Sequence, residues 1–296
     1  MSNPLTLVAL STQTITVELE KALKQHCLAL GFSLTPLMES VQQQGYFSAR
    51  WSMPAAPLPE ARHALREIAA GHHADLAFLS STYQPHAVRV LCMDMDSTLI
   101  NIECIDEIAQ YAGKKAAVAE ITEATMRGEI KDFKDSLRRR VALLAGIPET
   151  VLESVYQERL QLNPGATELL STANERGLHT LLVSGGFTFF TEKLKHTLRF
   201  KQAQANTLEI IDGKLTGKVL GEIVDGAAKA HYLQDACQRM QCQKIHSITM
   251  GDGSNDLLMM HGSGISVAYK AKSIVKEKAD AVFDHVGLDA ALLLMH

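Results

Sequence analysis

Two aspartates one residue apart, Asp94 and Asp96, close the stretch VLCMDMDSTLI at residues 90–100. The run before them is apolar enough to be a buried strand. Two carboxylates at such an end repel each other and cost desolvation, so a compensating partner is required. Two further strand-like runs end in polar groups. HTLLVS runs into Ser184-Gly185-Gly186, and HSITM runs into Gly251-Asp252-Gly253-Ser254-Asn255-Asp256. Carboxylates, a hydroxyl and glycine-rich backbone in one crevice suit a hard divalent cation such as Mg²⁺, whose charge would offset the repulsion. Each signal alone has an ordinary reading. An Asp after a strand caps a helix or makes a turn, SGG is a turn, and GDGSND is a hairpin loop. A calcium EF-hand is excluded at both Asp clusters. The sixth loop position is Leu99 or Leu257 where Gly is needed, and the twelfth is Ile105 or Ser263 where Glu is needed.

The elements that must position these residues alternate strand and helix from residue 87 onward. AVRVLCMD, HTLLVS, HSITMGDG, GISVAY and AVFDH read as strands, KAHYLQDACQRM as a helix, and NTLEIIDGKLTGKV as a hairpin turning at Asp212-Gly213. Residues 102–160 are mostly helical. This rhythm predicts an α/β fold, a Rossmann-like doubly wound parallel sheet with its site at the carboxyl ends of the strands. Residues 4–81 read differently, as strand, helix, strand, strand, helix, strand, the order of a small ferredoxin-like α+β domain. STYQPHA reads as a linker. The expected organisation is a first domain over 1–85 and a second over 86–296.

Composition narrows the class. The 296 residues suffice for two domains. A net charge of −4 gives no reason to expect a nucleic-acid partner, and no apolar run reaches membrane-spanning length. The N-terminus lacks a basic region ahead of its short apolar run, so no signal peptide is expected. Five cysteines, without CxxC spacing, favour reduced thiols and a cytoplasmic setting.

The set DMDST, SGG, a lysine in DGAAKAHYL and GDGSND, in that order, resembles the motifs of the haloacid-dehalogenase-like phosphohydrolases. Over residues 87–296 the segments MDMDSTLINIECIDEIAQYAG, EATMRGEIKDFKDSLRRRV, VSGGFTFFTEKL, ANTLEIIDGKLTGKV and GDGSNDLLMM resemble, more closely, the phosphoserine phosphatases of that superfamily. The resemblance implies hydrolysis of O-phosphoserine to serine and phosphate, the last step of serine biosynthesis, through an aspartyl-phosphate. Asp94 is then the nucleophile and Asp96 the general acid and base. Lys229 neutralises phosphoryl charge and fixes the nucleophile. Ser184 and the Gly185 N–H bind phosphoryl oxygens, and Asn255 contacts phosphate or substrate. Mg²⁺ is held by Asp94, the Asp96 carbonyl and Asp252. Asp256 orients Lys229 or the metal site. The first domain resembles an amino-acid-binding ACT domain. It lacks a glycine-rich turn in STQTITVELE, so a structural or dimerising role is expected, with a homodimer forming through it.

The superfamily inserts a helical cap between its first two motifs, here about 102–160. In the helix DFKDSLRRRVALLAG, Phe133, Leu137 and Leu144 fall at about 0°, 40° and 20° on a helical wheel. Arg140 falls inside that stripe at about −20°, while Arg138 and Arg139 face away. A guanidinium on an apolar face needs an anion. The plain answer is an internal salt bridge to a cap carboxylate; the sharper one is a bidentate clamp on the substrate carboxylate, which the resemblance supports. Glu103 matches the ammonium-binding position by resemblance alone, since its own helical wheel does not turn it inward. Met126 and Phe133 would close the pocket over the serine. The alternatives are a phosphatase or phosphotransferase of the same superfamily acting on another small phosphomonoester, and a non-catalytic amino-acid sensor. The sensor requires a broken site, whereas every expected residue is present.

Overall fold

The computed structural model describes residues 4–126, 129–130 and 132–296, without the side chain of Met126. The chain opens with β1 (Leu5–Ser11), α1 (Val17–Ala29), β2 (Thr35–Gln43), β3 (Tyr46–Met53), α2 (Pro59–Ala70) and β4 (Asp75–Ser80), the expected order. Thr16 caps α1 by accepting the Leu19 N–H at 3.2 Å. Pro59 opens α2, where its missing N–H costs nothing. The strands pair antiparallel as β2-β3-β1-β4. One face buries Leu7, Ala9, Trp51, Leu76 and Phe78 against Leu19, Leu23 and Leu65 of the two helices.

The larger unit begins at β5 (Val90–Met93). Four cap helices follow: α3 (Cys104–Tyr111), α4 (Lys115–Met126), α5 (Phe133–Ala142) and α6 (Thr150–Glu158). The chain then re-enters the sheet through α7 (Ala166–Glu175), β6 (His179–Phe187), α8 (Thr188–Leu198), β7 (Gln202–Ile211), β8 (Lys214–Leu220) and α9 (Gly226–Arg239). It closes with β9 (Ser247–Gly251), α10 (Leu257–Met260), β10 (Ile265–Tyr269), α11 (Ser273–Lys278) and β11 (Ala281–Phe283). From β11 to β7 every pairing is parallel, in the order β11-β10-β9-β5-β6-β7. β5 is central and buried throughout, as a strand covered on both faces must be. The β7–β8 hairpin turns at Asp212 and Gly213, both at positive φ (50° and 71°), as a tight two-residue hairpin requires.

The two units are not joined as beads. β4 pairs antiparallel with β11 at Ala77 and Ala281, and the Phe78 N–H donates to the Asp280 carbonyl at 3.0 Å. One sheet of eleven strands therefore crosses both units. Val8, Leu10, Ala77 and Leu79 share a buried cluster with Val267, Tyr269 and the C-terminal turn around Leu288–Leu294. A single carboxylate oxygen, Asp75 Oδ2, accepts three successive backbone N–H groups from Asp284, His285 and Val286 at 2.8–3.0 Å. STYQPHA is not a loose linker either. Tyr83 is buried, and its hydroxyl donates to the Leu294 carbonyl at 3.0 Å. Its Ser, Thr, Gln and Pro are loop formers, and nothing local reveals an acceptor near the end of the chain. The five cysteines are free thiols. Among the described residues no helix is long and apolar enough to cross a membrane.

Candidate active site

β5 delivers Asp94 in extended geometry, and the chain then makes one irregular turn over Met95–Leu99 with Ser97 at φ 56°. Such a turn needs external support. Asn163 supplies it, donating from Nδ2 to the Thr98 and Ile100 carbonyls at 2.8 and 3.0 Å. Asp94 Oδ1 accepts from the Met95 N–H at 2.7 Å and from Lys229 Nζ at 2.7 Å. Lys229 lies in the first turn of α9, wholly buried, and is shared with Asp256 Oδ1 at 2.7 Å. Burial opposes its charge, but Asp256 and Asp94 outweigh that and raise its pKa above the ordinary lysine range. Asp256 Oδ2 also accepts from the Gly253 N–H at 3.0 Å, and so holds both the lysine and the β9 loop. Thr98 Oγ1 donates to Asp252 Oδ1 at 3.2 Å.

The carboxylates of Asp94, Asp252 and Asp256 are buried and offer oxygens within 4.8 Å of one another. Burial, then Asp256, pushes the Asp94 carboxyl well above its usual range, and the same two causes take Asp252 to about 7. Three buried carboxylates around one ammonium carry surplus negative charge. A divalent cation bound by oxygen ligands is what that donor set fits. The Asp96 carboxylate is not part of this cluster. Its Oδ1 accepts the Cys104 N–H at 3.1 Å, and burial, then Glu103, raises it to about 7.

At the end of β6 the Ser184 hydroxyl accepts the Gly186 N–H at 2.8 Å. Ser184 lies beneath the cavity surface, whereas Gly185 and Gly186 line it. A side chain at either glycine would press on its neighbours. A Cβ on Gly186 would run into Asp96 Oδ2, and one on Gly185 would sit 3.1 Å from the Phe133 ring. Asn206, buried in β7, clamps this loop by donating to the Gly185 carbonyl and accepting from the Val224 N–H, both at 2.8 Å.

The opposite wall of the cavity, whose volume is about 430 Å³, belongs to the cap: Glu103, Phe133 and Arg140 face Asp94, Asp96 and Asp252 across it. Asn255 also lines it. Glu103 precedes α3 as its capping residue in extended backbone, which is why a helical wheel misplaces it. It accepts from Ser97 Oγ at 2.8 Å. Arg140 stands in the last turn of α5 with its Nε buried and unpartnered. Burial lowers its pKa, while Glu103, Asp106 and Asp96 act in the other direction. Among the described residues it has no ion pair, so the plain alternative of an internal salt bridge is not seen. Met126 closes α4, but its side chain lies outside the described residues. Asn163, Asn206 and Lys272 escaped the sequence reading. Each is a polar residue in a loop or a strand, with no local pattern to mark it.

A family model, haloacid dehalogenase-like hydrolase, matches residues 91–261. A phosphoserine phosphatase of Polaromonas is 50% identical over 211 residues, which are 70% of this chain and 89% of the relative. A HAD-family hydrolase of Salmonella enterica serovar Typhi superposes with a TM-score of 0.84 at 30% identity, over 99% of this chain and 98% of that one. A phosphoserine phosphatase solved with substrate bound superposes with a TM-score of 0.66 at 36% identity, over 71% of this chain and 99% of the other. With this sheet, this cap and the ordered carboxylates between them, the chain belongs to the haloacid dehalogenase-like hydrolases and, within them, to the phosphoserine phosphatase family.

Proposed function

We propose that the protein hydrolyses O-phosphoserine to serine and phosphate, with Mg²⁺ as its metal. The observation that carries this is Arg140. It is a cation on the cap with no ion pair among the described residues, placed beside Glu103 and across one small cavity from Asp94 and Asp96. An α-carboxylate and an α-ammonium on one side, and a phosphoryl group on the other, match that distribution of charge.

Asp94 Oδ1 is held by Lys229 and the Met95 N–H, which leaves Oδ2 to attack phosphorus. A bond forms from Asp94 to phosphorus as the ester P–O bond breaks, and Asp96 gives its proton to the departing serine oxygen. A carboxyl raised to about 7 is protonated often enough at neutral pH for that task. Asp96, now ionised, takes a proton from water. The water oxygen attacks phosphorus, the P–O bond to Asp94 breaks, and phosphate leaves. Lys229 keeps Asp94 aligned, and the Gly185 and Gly186 backbone faces the transferring oxygens. Asp94, Asp252 and the Asp96 carbonyl would hold Mg²⁺, which would supply positive charge to the phosphoryl oxygens. Phe133 over Gly185 shields the site from water.

The smaller unit, residues 1–85, acts as a scaffold for the catalytic one. Its outer edge, β2, leaves Leu37 and Val41 exposed and is where a homodimer would form. The test of function is phosphate release from O-phospho-L-serine with Mg²⁺ and with excess chelator, for wild type and Asp94→Asn. Wild-type turnover that survives the chelator, or Asp94→Asn turnover near wild type, refutes the mechanism.

A further inference from the structure

Lys272 takes no part in the steps above. It sits between β10 and α11, lines the same cavity as Asp94, Asp252 and Arg140, and has no ion pair among the described residues. Its backbone N–H donates to the Asp252 carbonyl at 3.0 Å, so it is tied to the loop that carries that aspartate. Among the described residues, the cavity presents the carboxyl groups of Asp94, Asp96, Glu103, Asp106 and Asp252, with Arg140 and Lys272 as its cations. Arg140 stands on the cap, and Lys229 is sealed beneath between two aspartates. Even with a proton on Asp96 and with Asp94 and Asp252 given over to a metal, a phosphate dianion entering past Glu103 and Asp106 gains from further positive charge that meets it on the phosphoryl side. Lys272 is the exposed cation placed there.

The helix that Lys272 precedes is also held from the smaller unit. α11 is only six residues long. Arg66 of α2 reaches its far end, donating through Nη1 to the Lys276 carbonyl at 2.5 Å and through Nη2 to the Ala279 carbonyl at 2.7 Å. These are carbonyls that a helix end otherwise leaves open. The guanidinium also lies 5.3 Å from the centre of the Phe78 ring.

We propose that Lys272 binds the phosphoryl group of the incoming substrate, and that Arg66 is the positioning residue through which residues 1–85 hold it at the cavity mouth. The proposal rests on the phosphomonoesterase reading above. Lys272→Ala should raise KM for phosphoserine and the Kd of inorganic phosphate about three- to tenfold. kcat should stay within about twofold, and the salt dependence of kcat/KM should flatten. Lys272→Arg should restore most of the loss. Arg66→Met, which removes the guanidinium and keeps an unbranched stem, should raise KM in the wild-type background and have no further effect on KM in Lys272→Ala. If Arg66→Met melts below the assay temperature, Arg66→Lys, with one donor in place of the fork, tests the same coupling. Calorimetric binding of inorganic phosphate does not depend on the serine moiety. A wild type that binds phosphate but does not turn over phosphoserine refutes the proposed substrate, and Lys272 is then judged by phosphate Kd alone. An unchanged phosphate Kd in Lys272→Ala overturns the role of Lys272. Additive effects on KM, or an Arg66 variant that shifts only the melting temperature, overturn the role of Arg66.

Discussion

Asn206→Ala should damage stability and catalysis together. Asn206 is 1% exposed, and its amide bridges the Gly185 carbonyl to the Val224 N–H. Truncation leaves the buried Val224 N–H and the half-buried Gly185 carbonyl without this partner. A fully buried orphaned group costs about 1–3 kcal/mol, so the two together cost at most roughly 2–6 kcal/mol, less where water reaches the Gly185 carbonyl. Urea unfolding followed by circular dichroism measures it directly. The freed Gly185 carbonyl also loosens the loop that faces the phosphoryl group. Misplacement there by about 1 Å is worth on the order of a hundredfold in rate, so kcat should fall by about ten- to a hundredfold at saturating substrate. Asn206→Asp keeps the acceptor for Val224 but turns an acceptor toward the Gly185 carbonyl and buries a charge, so its kcat should fall at least as far. A variant destabilised as calculated but with wild-type kcat would show that Gly185 does not depend on this clamp.

Three other perturbations probe separate parts of the argument. Arg140→Ala should weaken phosphoserine turnover severely and spare p-nitrophenyl phosphate, which has no amino-acid carboxylate; equal losses on both would make Arg140 structural. In the metal-free protein, Asp96 and Asp252 are raised from 3.8 to about 7. The folded state thus holds protons that the unfolded state has already released, and stability from this source is full below about pH 4 and falls as pH rises to 7. Thermal melts in chelator should therefore drop across that window and recover at pH 7.5 with Mg²⁺; a flat profile contradicts the buried-carboxylate account. Removing residues 1–85 uncovers β11 and the Tyr269 cluster, so an 86–296 fragment should be markedly less stable in urea, and a fragment as stable as the full chain would mean the shared sheet contributes nothing.

The convergence of the candidate residues was legible in the chain because its signals are local. Asp94 and Asp96, Ser184 to Gly186, and Asp252 to Asp256 each follow a short apolar run, and parallel pairing brings the ends of such runs to one edge whatever surrounds them. The strand–helix order of both units was legible for the same reason, as was Arg140, whose place on an apolar helix face is a matter of period. The supports were decided by tertiary structure. Asn163 and Asn206 act on carbonyls that only folding brings near them. Glu103 points into the cavity because it precedes α3 and escapes the helical period. Lys272 and Arg66 lie in separate units and meet through α11 only because β4 pairs with β11. A periodic pattern records which face of an element is buried. It does not record which distant backbone group a polar side chain will satisfy, because that partner is set by how the elements pack.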